Sequence, residues 1–175
     1  MTPGLVGTGT AGHAGPRAAT GLAAASRVVH LPARRSDLLR GCPPALVYSR
    51  AEQRYCALRR DLTGWGGRLA AKLAVADLLG IDADAALEAG RDAGLHLIEI
   101  LPSPSVPCPD GDGCTKPHPP DVRFLSPSSP GSAEGFGITR REDESVKVSI
   151  SHTRNLAVAL AVAVPHRQTE RTVQP

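Results

Sequence analysis

Residues Leu156 to Val164 read LAVALAVAV, with a large aliphatic side chain at every second position and alanine between. Period two is the signature of a strand rather than of a 3.6-residue helix. Such a strand has two unlike faces. The large face is expected to meet the core, and the alanine face to allow close packing by a helix or another subunit. Just before it, Ser145 to Ser151 also alternates, with Val146, Val148 and Ile150 on one side, and a turn is expected at His152–Asn155. Aromatic residues make up only 3% of the chain, so the core is aliphatic.

The strongest helical segment runs from about Gly67 to Leu79, GRLAAKLAVADLL, with Leu69, Leu73 and Ala76 on one face and Gly80 as a stop. Asp61 to Gly67 reads as a turn-rich break. Ser49 and Glu52, three residues apart, form a capping-box pattern that opens a helix through Tyr55, Cys56 and Leu58. Shorter helical pieces are expected around Ser36 to Arg40 and Asp82 to Ala93. Arg27 to Leu31, closed by Pro32, and Leu95 to Leu101 read as strands.

The remaining stretches are irregular. Residues 1–25 are rich in Gly and Ala without a continuous apolar run or a basic start, so they read as a disordered tail and not as a signal peptide. Nine of the sixteen prolines fall between Pro102 and Pro130. This marks a Pro/Gly-rich insertion, 102–144, in which no regular structure is expected. A polar tail, 166–175, closes the chain. The domain proper is therefore 26–165. No run of 18 apolar residues argues for a membrane span, and a net charge of +3 is too small to argue for nucleic acid. Four scattered cysteines suit a reducing cytoplasm. Cys108, Cys114 and His118 are too widely spaced and too few for a zinc site. The Asp110–Asp112 loop lacks the closing Glu of a calcium loop.

Four motifs occur in order: RVVHLP at 27–32, YSRAEQRYC at 48–56, GRLAAKLAVADLLG at 67–80 and VSISHT at 148–153. Together they resemble the holo-acyl-carrier-protein synthase family, the small 4'-phosphopantetheinyl transferases, over residues 26–101 and 145–164. The resemblance implies an α+β fold, with a small antiparallel sheet packed against helices, assembled as a homotrimer. It implies a coenzyme A or phosphopantetheine arm as ligand and an acyl carrier protein as partner. Arg68, Lys72, Ser149, Ser151 and His152 match positions around the coenzyme A pocket. Carrier proteins present an acidic helix, which Arg34, Arg35, Arg50 and Arg54 would suit.

The family's magnesium bridges a pyrophosphate and needs carboxylate ligands. Here Arg27 stands where the first-strand Asp belongs, Leu73 where the helix Glu belongs, and Asp77 where the following Lys belongs. Magnesium is therefore not expected, and an Arg27–Asp77 ion pair is expected in its place, against two unrelated surface substitutions. Three functions remain open. The first is a protein that has lost magnesium-dependent transfer and binds or transforms carrier-tethered acyl or polyketide chains, by cyclisation, dehydration or isomerisation. Asp77 and His152 would be its acid and base and Arg27 its positive charge. The second is an active transferase in which Glu52, Glu99 or another acid replaces the lost ligands. The third is a non-catalytic binder of carrier protein or coenzyme A.

Overall fold

The computed structural model describes residues 22–58, 62–103, 119–126 and 144–165. Its architecture is α+β, with small antiparallel sheets packed against helices. In chain order the elements are β1 (Ala24–His30), α1 (Arg35–Leu38), α2 (Pro44–Val47), α3 (Arg50–Ala57), α4 (Thr63–Leu78), α5 (Ala83–Glu88), β2 (Ile98–Pro102), β3 (Pro120–Phe124), β4 (Glu144–His152) and β5 (Leu156–Pro165). The main sheet has the order β1-β5-β4, and β2 and β3 form a separate two-stranded sheet. Arg27 pairs with Ala159, which pairs on its other side with Ile150.

Helix α4 lies across the main sheet, and every residue from Trp65 to Ala76 is buried. A helix buried all round must be apolar all round or must neutralise its polar groups internally, and α4 does both. Alanines and glycines face the sheet. A Cβ at Gly67 would come 2.9 Å from Cγ2 of Ile150, so a glycine there permits the close approach.

The alanine face of β5 is packed by a helix as expected, but the large face does not meet the core. Ala157, Ala159, Ala161 and Ala163 point inward beneath α4, and Val158 and Leu160 are exposed on the opposite face. With one helix layer on one side of the sheet, the small residues go where a helix backbone must come near, and the large ones are left outside.

Other boundaries also move. Helix α4 starts at Thr63, four residues before Gly67, inside the segment read as a break. Tyr48 anchors that first turn: its hydroxyl donates to the Trp65 carbonyl at 2.9 Å, and the two rings meet edge to face at 4.9 Å. Strand β1 starts at Ala24, inside the stretch read as tail. Strand β3 lies within the insertion read as irregular, and pairs Val122 with Ile100. The prolines Pro102 and Pro120 sit opposite one another at its end, where a strand tolerates them. Helix α2, with Pro44 in its first turn, is an element the sequence reading did not anticipate. The remainder of the insertion, with Cys108, Cys114 and His118, and most of the two tails lie outside the described residues.

Candidate functional site

Arg27 projects from the α4 face of β1 and meets Asp77 at the end of α4. Its Nη2 donates to Oδ1 of Asp77 at 2.6 Å, and its Nε donates to Oδ2 of the same carboxylate. Nη1 donates to Oδ2 of Asp84, on α5, at 2.6 Å. The ion pair expected from the sequence is present, and a second carboxylate joins it. Asp84 carried no signal of its own, because nothing local in a short helix points to a partner 57 residues away. The hydrogen bonding to Asp77 outweighs burial and pushes the guanidinium further above its already high value.

Leu73 sits one turn before Asp77 on the same stripe of α4, since residues four apart share a helix face. Beside Arg27 it lines a cleft of about 250 Å³. Val29, Leu38, Leu69 and Leu87 complete an apolar floor, and His30, Asp37, Arg40 and Asp84 stand at the rim with Arg27. Arg40 is held by Glu88 of α5 at 2.5 Å. Helix α5 thus forms one wall of the cleft and is tied across it by two ion pairs.

These residues do not fit magnesium. Leu73 offers only hydrocarbon, and Arg27 fills the space between Asp77 and Asp84 with a fixed positive charge. Neither residue can donate the oxygen ligands a hard cation requires.

The matched pocket residues are distributed over three places. Lys72 is fully buried. Its Nζ pairs with Oε2 of Glu52 at 2.7 Å, donates to the Leu95 carbonyl at 2.8 Å, and donates to the Ile98 carbonyl. These three acceptors match the three protons of an ammonium. Burial lowers the Lys72 pKa and raises that of Glu52, and their mutual attraction offsets part of each shift. Arg68, one turn earlier, donates to the Ile100 and Gly64 carbonyls at 3.0 Å and stacks on Tyr55. Both side chains hold α4 against its neighbours, Lys72 through the segment that enters β2.

Ser149 and Ser151 pair with Leu160 and Val158, so they lie on the outer face of the sheet, opposite Arg27. His152 is exposed at the end of β4, on the inner side and in register with Ala157. Arg27 and His152 lie on the two edge strands, two strand spacings or about 10 Å apart, and are offset by two residues along the sheet, since Arg27 is level with Ile150 through Ala159. Within one chain, Asp77 and His152 are therefore not brought together as an acid–base couple.

Glu52 and Glu99, the candidate replacement ligands, are both buried beside α3. The capping box forms as expected: the Glu52 N–H donates to Oγ of Ser49 at 3.2 Å, and the Ser49 N–H donates to Oε2 of Glu52 at 2.8 Å. Glu52 Oε1 also accepts from the Ile100 N–H at 2.9 Å, and Ser49 Oγ donates to Glu99 at 2.7 Å. The two carboxylates are committed to this network. Arg34, Arg50 and Arg54 are exposed, as is Arg35, which lies over the Trp65 ring at 4.8 Å. No helix among the described residues is long and apolar enough to cross a membrane. No family model matches the sequence, and no curated protein matches it.

Proposed function

We propose that this chain is a holo-acyl-carrier-protein synthase-like protein that has lost magnesium-dependent phosphopantetheine transfer and binds or transforms acyl or polyketide chains tethered to a carrier protein. The observation that carries the reading is the cluster of Arg27, Asp77 and Asp84 above Leu73. At the place where the resemblance puts pyrophosphate chemistry, the chain has an internally neutralised arginine and an apolar cleft. An arginine already shared by two carboxylates is a poor clamp for another anion, because the group as a whole is negative. The exposed arginines of α1 and α3 suit an acidic carrier helix. The cytoplasm, where carrier proteins and coenzyme A meet, is the compartment this reading assigns.

On the same resemblance we propose a homotrimer. The exposed aliphatic residues on the outer face of the main sheet support it, and Ser149 and Ser151 share that face. Assembly would bring side chains of different subunits near one another, which one chain alone does not do for Asp77 and His152.

The deciding experiment mixes the protein with coenzyme A, magnesium and an apo carrier protein and reads the carrier's mass. An unchanged mass is expected, together with carrier binding in a pull-down. A phosphopantetheine-sized gain overturns the proposal in favour of an active transferase. An unchanged mass without carrier binding overturns it altogether.

A further inference from the structure

The cleft between β1, α4 and α5 combines an apolar floor with a rim whose arginines are backed by an excess of carboxylates, and this combination selects a ligand class. The floor is Val29, Leu38, Leu69, Leu73 and Leu87. At the rim stand Arg27, Arg40, Asp37 and Asp84 with His30; behind the lining, Arg27 also meets Asp77, and Arg40 is matched by Glu88. Asp37, also on the rim, accepts a hydrogen bond from the neutral Ser36 hydroxyl at 3.1 Å. Two carboxylates and two guanidiniums line the rim, and with the partners Asp77 and Glu88 counted, four carboxylates stand against two guanidiniums. The volume, about 250 Å³, lies just under the range of roughly 300–1,000 Å³ typical of drug-sized ligands. It holds about eight heavy atoms at roughly 30 Å³ each, the share of a water molecule in the liquid.

We propose that this cleft binds a short aliphatic acyl group carried as a neutral thioester or ester, and discriminates against the same chain as a free carboxylate. This deepens the carrier-tethered reading above and rests on it for the source of the ligand. The apolar floor supplies affinity by removing methylene groups from water, at about fourfold per buried methylene. The rim supplies the discrimination. A carboxylate at the mouth would meet excess negative charge in a partly desolvated site, and a thioester carbonyl would not. Leu73 gives the floor its centre, so the residue that removes a metal ligand also creates the apolar surface.

The test is calorimetric titration of the full-length protein with butanoyl- and hexanoyl-N-acetylcysteamine thioesters and with hexanoate. The thioesters are expected to bind, with the hexanoyl form about fifteenfold tighter than the butanoyl form and hexanoate at least about tenfold weaker than its thioester. Asp84→Asn is expected to narrow the gap between hexanoate and thioester by about three- to tenfold, because it removes one rim charge. Leu73→Glu should abolish thioester binding. If that variant does not fold, Leu73→Phe serves instead by shortening the longest chain accepted. Equal binding of hexanoate and thioester, no thioester binding, or an Asp84→Asn variant with an unchanged ratio would each overturn the proposal. Thioester binding without carrier-protein binding overturns the carrier reading and leaves the cleft's ligand class standing.

Discussion

Arg27 and Asp77, fifty residues apart in sequence, meet fork to fork: two nitrogens of one guanidinium donate to the two oxygens of one carboxylate. Their side chains are only 13% and 18% exposed. The contact ties the edge strand β1 to the last turn of α4, and Asp84 adds α5 to the same tie. A planar guanidinium can make this side-on contact and still reach a third element, which a lysine ammonium cannot do in the same way.

Removing one partner should therefore cost more than removing both. Asp77→Asn is expected to destabilise the chain by about 1–3 kcal/mol, since it leaves a part-buried guanidinium with one of its two carboxylates. The Arg27→Met, Asp77→Leu double variant should lie closer to the wild type than the sum of the Arg27→Met and Asp77→Leu single changes, because it leaves only the more exposed Asp84 without a partner. Urea denaturation of the four proteins measures the coupling. Strict additivity would show that the contact contributes nothing beyond packing.

Arg27→Asp makes the opposite test. It places a third carboxylate beside Asp77 and Asp84 and takes away the charge that offsets them. The melting temperature should fall further than in Arg27→Met and should recover on adding millimolar magnesium or calcium, at matched ionic strength. A cation bound only by the folded state, at a hundred times its dissociation constant, contributes about 2.7 kcal/mol. The wild type should show no such cation dependence. A variant indifferent to divalent cations would mean that the backbone around the site no longer allows carboxylates to converge.

The parts of this fold that could be read in advance are those with local causes. The Ser49–Glu52 capping box is a reciprocal contact within one helical turn, so spacing alone reveals it. The hairpin of β4 and β5 follows from period two. The alanine face of β5 takes a helix as its small side chains imply, but alternation does not show that the sheet has a helix layer on one side only, which leaves Val158 and Leu160 exposed rather than in the core. The first turn of α4 was missed because Gly64, Gly66 and Gly67 disfavour a helix locally, and the reward comes from Tyr48, fifteen or more residues earlier. Strand β3 was hidden by Pro119 and Pro120, which would argue against a central strand but not against the end of an outer one. At the site, Arg27, Leu73 and Asp77 were visible as departures from a motif. Asp84 and the Leu38, Leu69 and Leu87 floor were not, since only the fold brings them together.

The buried Lys72–Glu52 pair should give a distinctive pH profile when broken. Lys72→Met leaves a buried carboxylate without its counter-charge and is expected to cost about 3–5 kcal/mol at pH 7.5. In the wild type, burial already holds Glu52 above its ordinary value of 4.5. Losing the lysine removes the attraction that lowers it and raises it further. The folded variant then binds the Glu52 proton more tightly than the unfolded chain, so its stability falls as pH rises from 4.5 through the folded value. Below 4.5 both states are protonated and this penalty is absent. The deficit relative to wild type should thus shrink between pH 7.5 and pH 4.5. Equal deficits at the two pH values would show that Lys72 acts only through the Leu95 and Ile98 carbonyls.

The outer face of the main sheet provides the last test. Val28, Val158 and Leu160 are 55%, 40% and 44% exposed in the single chain, and they neighbour one another: Val28 pairs with Val158, and Leu160 lies two residues along the same face. A contiguous aliphatic surface of this kind is stable in water when another surface covers it. In a trimer closed over this face, Leu160→Lys would bury an ammonium without a partner, at a cost far beyond that of a surface substitution. On the proposed homotrimer, light scattering on a sizing column should find three copies in the wild type and single chains in Leu160→Lys. Leu58→Lys is the control, because Leu58 is 86% exposed just past the end of α3, away from the sheet. That variant should remain a trimer. A monomeric wild type at 100 μM, or a Leu160→Lys variant that still assembles, would remove the outer sheet face from the interface and leave its exposed aliphatics to another role.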